Sequence, residues 1–216
     1  MSQTKNGKSS PKVSRVERQA ETRKALVAQA RTMFLNEGYA ATSLDKVAIE
    51  AGYSKGAVYS NFDGKEELCL EVLDGIHREK VRGVAKIFSG TGDLSSQLDV
   101  FAAWAQDELA DPRWTRLEFE FAAVAGGNPW VAKQLATRHR EIAELVRLLV
   151  VDISQRFGLR GVEYAGQTAT ALMSAGIGLG ALRSLDPKID MNVFGLVVRS
   201  MIRASSTMPE AQTETE

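Results

Sequence analysis

The chain of 216 residues has one cysteine, two histidines and no excess of charge of either sign, with 27 basic against 27 acidic side chains. A lone Cys69 leaves no intrachain disulfide and makes a cysteine-based metal site unexpected, which fits a reducing cytosol. In an apolar part of a predicted helix, Cys69 reads as a small buried side chain rather than a redox sensor. His77 and His139 fall on separate predicted helices. No Ser-His-Asp or metal-ligand spacing stands out around them, so catalysis is not expected and no metal or cofactor is implied. No apolar run follows the N-terminus, so no signal peptide is expected. The longest dense apolar stretch, 145–151, is interrupted by Arg147 and closed by Asp152. It is far shorter than the roughly 20 residues that a bilayer requires. A soluble, cytoplasmic protein with no membrane partner is the expectation.

What is present is helical periodicity. No stretch alternates as a half-buried strand does, and there is no internal repeat. Helices are expected over about 17–36, 42–51, 54–61, 63–88, 93–110, 112–126, 129–157, 162–184 and 189–205, an all-α, nine-helix architecture. The boundaries are punctuated. Pro112 and Pro129 suit first-turn positions behind Asp111 and Asn128 as caps. Gly38, Gly158 and Gly161 act as stops, and Asp63 with Glu66 has capping-box spacing. Residues 1–24 carry seven basic side chains (Lys5, Lys8, Lys12, Arg15, Arg18, Arg23, Lys24) against Glu17 and Glu21. Residues 1–16 read as a disordered basic arm and 206–216 as a flexible tail, with a domain over 17–63 and a second, helical one over 64–205. A basic arm on a neutral protein suggests a nucleic-acid partner.

Residues 42–62, TSLDKVAIEAGYSKGAVYSNF, are the most informative segment. Leu44, Val47, Ala48 and Ala51 recur at i, i+3, i+4 and i+7, one buried stripe on a short helix starting at Thr42 or Ser43. Gly52 supplies a turn residue that tolerates positive φ. Ser54 caps a second helix of about two turns that leaves Lys55, Gly56, Tyr59 and Ser60 outside. Two short helices joined by a glycine-containing turn form a helix-turn-helix, whose second helix enters the major groove of double-stranded DNA. On the leading turn, Ser54, Lys55, Gly56 and Ala57 are the candidates for base edges. Lys55 suits guanine or a phosphate, Ala57 suits a thymine methyl, and Gly56 allows close approach.

These residues resemble the N-terminal motif of the tetracycline-repressor (TetR) family of bacterial transcriptional regulators. The resemblance runs through Thr42-Ser43-Leu44, Val47-Ala48, Ala51-Gly52-Tyr53-Ser54, Gly56-Ala57-Val58-Tyr59, Asn61-Phe62 and Lys65-Glu66-Glu67-Leu68. It is strong over about residues 20–70 and weak beyond. Asn61 departs from the histidine frequent there in relatives, though both side chains can bond a phosphate. The resemblance implies phosphate contacts from Thr42, Tyr59 and Lys65. Ser43, Lys46, Ser60 and Asn61 complete the candidate DNA contacts, for which Lys46 is the weaker candidate.

The resemblance also implies a homodimer on a palindromic operator and a small-molecule effector held by the C-terminal domain. The last two helices would pair two subunits through Gly176, Gly180, Val193, Leu196, Val197 and Ile202. The small residues of 174–181 permit close packing, against the partner or within the subunit. Candidate pocket residues are Phe101, Trp104, Trp114, Glu118, Phe119, Phe121, Trp130, Met173 and Ile177. Glu118 and Glu120 suit a cationic ligand, with at least one of them expected to face solvent or to pair with Arg113 or Arg116. A repressor released by its ligand is the reading the family favours. A ligand-responsive activator and a sequence-tolerant architectural DNA protein are the alternatives.

Overall fold

The computed structural model describes residues 14–109 and 111–207, and among them every regular element is helical. In chain order these are α1 (Arg15–Glu37), α2 (Leu44–Glu50), α3 (Lys55–Tyr59), α4 (Lys65–Phe88), α5 (Leu94–Glu108), α6 (Pro112–Ala125), α7 (Pro129–Phe157), α8 (Ala165–Leu185) and α9 (Asn192–Thr207). A 3₁₀ turn, Val162–Tyr164, leads into α8.

Local chemistry explains most of the boundaries. Asp111 accepts from the Arg113 amide, and Asn128 accepts from those of Trp130 and Val131, each ahead of a proline in the first turn. Gly38 (φ 92°) ends α1 and Gly158 (φ 64°) ends α7, both in backbone conformations that side-chain-bearing residues rarely adopt. Among the starts that differ from expectation, two have a local cause, while α8 and α9 each begin three residues later than expected. Helix α1 begins before residue 17, because Ser14 and Glu17 form a reciprocal capping box. The expected box at Asp63 and Glu66 does not form. Gly64 is the N-cap of α4, and the Asp63 amide donates to Glu67 instead. Most of the basic arm, including Lys5, Lys8 and Lys12, lies outside the described residues, as does the tail beyond 207.

Two bodies of side chains share α4. In the head, Leu26, Ala30 and Phe34 of α1 pack on Leu44, Val47 and Ala48 of α2, and on Val58 and Phe62 around α3. Fully burying a side chain such as Phe34 contributes about 1.5–3 kcal/mol. The first half of α4 closes this core with Leu68, Cys69, Val72 and Ile76. Its second half runs into a body made by α5 to α9, where α8 packs on α6 and α7 and α9 packs on α5. Arg23 joins the parts of the head. Its guanidinium lies 4.1 Å from the Phe62 ring centroid, donates to the Asn61 carbonyl and pairs with Glu67 and Glu71 of α4. This arginine is a strut, although the sequence counts it among the basic residues of the arm.

The glycines of α8 pack within the subunit. A Cβ on Gly180 would stand 2.6 Å from Thr115 Oγ1, and one on Gly176 would touch Phe194 of α9. Both are buried, which corrects their assignment to a surface that pairs two subunits. Replacing a helical glycine by alanine ordinarily gains up to about 1 kcal/mol. At Gly180 the clash with fully buried Thr115 opposes that gain, and overpacking costs about 1–3 kcal/mol. Gly180→Ala is therefore expected to be neutral to destabilising in urea unfolding. Adding Thr115→Ala should restore the gain. An increase in stability from the single change would contradict this packing.

Candidate functional site

The outer surface of the helix-turn-helix is built by caps. Ser43 accepts from the Lys46 amide and Ser54 from the Ala57 amide, so their hydroxyls are engaged in starting α2 and α3. Gly52 (φ 77°) lets the chain reverse between the two helices. Ser54, Lys55, Gly56, Tyr59 and Ser60 are exposed and Ala57 is half-buried. This places the leading turn of α3 and Tyr59, 58% exposed, in solvent. The side chains are not idle. Lys55 Nζ donates to Asp45 Oδ2 at 2.5 Å, and the Tyr59 hydroxyl donates to Asp45 Oδ1 at 3.1 Å. The bond from Lys55 holds the Asp45 carboxyl below its usual range, and Asp45 in turn raises the Lys55 ammonium. One carboxylate thus gathers both groups on the exposed side of the helix-turn-helix. An exposed pair is screened by water and exchanges partners readily.

Four other candidates are placed differently. Thr42 is 2% exposed and its hydroxyl donates to the Gly38 carbonyl, so in this conformation it is not presented to a phosphate. Lys65 Nζ donates to the Tyr39 and Thr42 carbonyls at 2.9 and 3.0 Å and stacks 4.1 Å from the Tyr39 ring centroid. It straps the α1–α2 turn to α4 rather than reaching outward. The Asn61 amide folds back to donate to the Ala57 carbonyl. Lys46 is exposed but ion-paired with Glu37 at 2.6 Å. These engagements have one origin: each partner comes from another turn or element, or from a backbone carbonyl that spacing does not reveal, and only Lys46, in an exposed pair like that of Lys55, stays on the outer surface.

The second site is a cavity of about 230 Å³ between α4, α5, α6, α7, α8 and α9. Of the pocket candidates, Phe101, Trp104, Trp114, Glu118, Met173 and Ile177 line it. Phe119 and Trp130 are each 48% exposed outside it, and Phe121 is buried edge-on against Tyr39, 5.3 Å between centroids. Phase explains this. Trp114, Leu117, Glu118 and Phe121 follow i, i+3, i+4 and i+7 and turn inward together, which leaves Phe119 outside. Ile202, assigned to the pairing surface, instead lines the cavity.

Sequence reasoning also missed the polar end of this cavity. His77 Nε2 of α4 lies 3.2 Å and His139 Nε2 of α7 lies 3.6 Å from Glu118 Oε1. Burial alone would push the Glu118 carboxyl up, but hydrogen bonds from His139 and His77 outweigh it and bring it down to about 2. The same bond raises His139 against the opposing effect of its own partial burial. Glu118 pairs with neither Arg113 nor Arg116: Arg113 holds Asp111, while Arg116 donates to the Leu35 carbonyl and lies 3.5 Å from Glu120. Glu120 Oε2 accepts the Tyr39 amide at 2.6 Å, so the cavity helix α6 is bonded directly to the joint between α1 and α2. Among the described residues no cluster of three or more potential ligands is placed to hold a metal. Among the described residues no helix is long and apolar enough to cross a membrane.

A helix-turn-helix with an exposed leading turn, set on a helical body that holds a cavity, defines a DNA-binding regulator. The family model for "Bacterial regulatory proteins, tetR family" matches residues 26–72. The HTH-type transcriptional regulator YfiR of Bacillus subtilis (strain 168), itself uncharacterized, is 31% identical over 153 residues, 68% of this chain and 72% of that protein. The transcriptional repressor BepR of Brucella suis biovar 1 (strain 1330) is 25% identical over 165 residues, covering 74% and 78% of the two chains. The transcriptional activator FasR of Mycolicibacterium smegmatis (strain ATCC 700084 / mc(2)155) is 36% identical over 116 residues, 53% of this chain and 52% of that one. In fold, the chain matches a TetR-family regulator from Mesorhizobium loti MAFF303099 with a TM-score of 0.67 at 18% identity, covering 87% and 96% of the two chains. The chain belongs to the TetR family of transcriptional regulators.

The Glu118 cluster sets a stability window. Its carboxyl is depressed from 4.5 to about 2, so its contribution is full above pH 4.5 and lost as pH falls towards 2. His139 is raised from 6.5, so its contribution is full below pH 6.5 and lost as pH rises through its folded value. The stability difference between wild type and Glu118→Gln in urea titrations should be largest between about pH 4.5 and pH 6.5, shrinking as pH falls towards 2 and as it rises above 6.5. A difference independent of pH would remove the histidines from the account.

Proposed function

We propose that the chain is a cytoplasmic, homodimeric repressor that binds a palindromic operator and leaves it when a small molecule fills the cavity. The observation that carries this reading is the double bonding of α6. Trp114 and Glu118 line the cavity, while Arg116 and Glu120, two residues on from each, hold the Leu35 carbonyl and the Tyr39 amide. Residues two apart on a helix point to nearly opposite sides. A ligand that displaces α6 or α4 therefore moves the seat of the helix-turn-helix. The ligand shifts DNA affinity only by as much as it prefers the non-binding arrangement.

Pairing rests on two supports. A recognition helix as short as α3 reads few base pairs, so one copy discriminates poorly among genomic sites. The outer sides of α8 and α9 expose Leu182, Leu185, Val193 and Leu196, the last at 61%. Val197 is half-buried on the same helix. With Gly176, Gly180 and Ile202 turned inward, these leucines and valines are the apolar surface that a second copy would cover. Repression is favoured over activation by the likeness to BepR over three quarters of both chains, broader than that to FasR. An activator remains the second reading.

Two sets of variants test this on a DNA site selected from random duplexes. Tyr59→Ala should weaken binding about fivefold or more to every duplex. Lys55→Ala should instead relax base preference at one position by about tenfold, as loss of a base contact does. Both changes binding like wild type in mobility shifts at fixed salt would overturn the DNA face. In sedimentation, Leu182→Asp with Leu196→Asp should convert a dimer to a monomer and lower operator affinity about a hundredfold or more. A wild-type monomer, or a monomeric variant that binds undiminished, would sink the paired reading.

A further inference from the structure

The two helices of the helix-turn-helix carry balanced charge. Their ionised side chains are Lys46, Lys55, Asp45 and Glu50, two basic and two acidic. Both lysines are matched within the protein. Lys46 pairs with Glu37 at 2.6 Å, and Lys55 pairs with Asp45 at 2.5 Å. Sequence-blind attraction to DNA comes from cations that replace counterions along the phosphates, so each matched lysine withholds part of it.

Asp45 is placed to do more than balance charge. It stands in the first turn of α2, and its two carboxylate oxygens take separate donors from α3. Oδ2 accepts from Lys55 Nζ and Oδ1 from the Tyr59 hydroxyl. Lys55 and Tyr59 are four residues apart, so they rise from the same side of α3. The Asp45 and Lys55 side chains are 38% and 62% exposed, which leaves the cluster open to a partner.

The two donors differ in what they can share. An ammonium has three N–H groups, so a lysine bonded to Asp45 keeps two for guanine O6 and N7. The bond between Lys55 and Asp45 can therefore persist while a base is read. A phenol has a single O–H. Tyr59 must leave Asp45 before it donates to a phosphate, and a phosphate that approaches Lys55 meets the Asp45 carboxylate too. Like charges brought together in this way disfavour the wrong partner. Base contact is compatible with Asp45, whereas phosphate contact is opposed by it.

We propose that Asp45 is a specificity-determining residue, whose carboxylate aims the Lys55 ammonium at base edges and competes with backbone phosphates for Lys55 and Tyr59. This deepens the DNA-face reading and rests on it.

The test uses the full chain, the duplex selected from random sequences and a scrambled duplex of equal length, with affinities read by fluorescence anisotropy across a salt series. Asp45→Asn should tighten binding to the scrambled duplex about fivefold or more and steepen its salt dependence by about one counterion for each subunit bound. The selected duplex should gain less, so the ratio of the two affinities falls several-fold. Asp45→Glu, which keeps the charge, should stay close to wild type in salt slope. In a Lys55→Ala background, Asp45→Asn should move the salt slope little, a dependence that a merely structural role in α2 does not produce. Asp45→Ser serves as the second neutral variant where asparagine disturbs α2. An unchanged ratio and slope in the neutral variants overturns the proposal, as does an equal change with Lys55 absent. Lys55→Ala and Tyr59→Ala separate the two readings. If both bind every duplex like wild type, the DNA face fails and the proposal with it. If either alters binding while the neutral Asp45 variants keep the wild-type ratio, the proposal alone fails.

Discussion

One helix with two working sides governs this molecule. Along α6, Trp114 and Glu118 face the cavity, while Arg116 and Glu120, offset by two residues, grip the end of α1 and the start of the next turn. Neither pair can move without the other, because a hydrogen-bonded helix transmits rotation and translation as a rigid rod. Gly38 stands at the far side of this grip, where a Cβ would sit 3.0 Å from both Glu120 carboxylate oxygens. The head and body thus meet through carboxylate-to-amide and guanidinium-to-carbonyl bonds rather than through a broad apolar seam alone. Such polar bonds are directional and lose strength steeply with misalignment. A small displacement of α6 is therefore felt at the helix-turn-helix.

The longer α4 sets the other half of the linkage. Its first turns are fixed by the Arg23 strut and the Lys65 strap, and its later turns form a wall of the cavity. The two cationic residues that sequence resemblance and composition offer as DNA-facing are thereby engaged in keeping the head rigid on α4. On the exposed side of the helix-turn-helix, Asp45 holds Lys55 and Tyr59 together.

What the sequence shows and what it hides divide along range. The helix-turn-helix, the prolines behind Asp111 and Asn128 and the stops at Gly38 and Gly158 are legible because each is decided within a few residues. Glu118 is legible as a pocket residue but not as the partner of His77 and His139, since those come from α4 and α7 and meet only in the fold. The small residues of α8 announce close approach without saying to what: Gly180 abuts Thr115 and Gly176 abuts Phe194, both in the same chain. Phe119, Phe121 and Trp130 lie away from the cavity because helical phase, not aromatic character, decides which side chains face it. Thr42 and Lys65 are engaged by backbone carbonyls, which side-chain spacing does not reveal.

Two of the three tryptophans, Trp104 and Trp114, line the cavity, and the third, Trp130, lies on the outer surface. Indole emission responds to the polarity and quenchers around the ring, and Lys80 and His77 already stand beside Trp114. The protein therefore carries a built-in optical gauge of what enters its interior, with a solvent-facing indole as the internal reference.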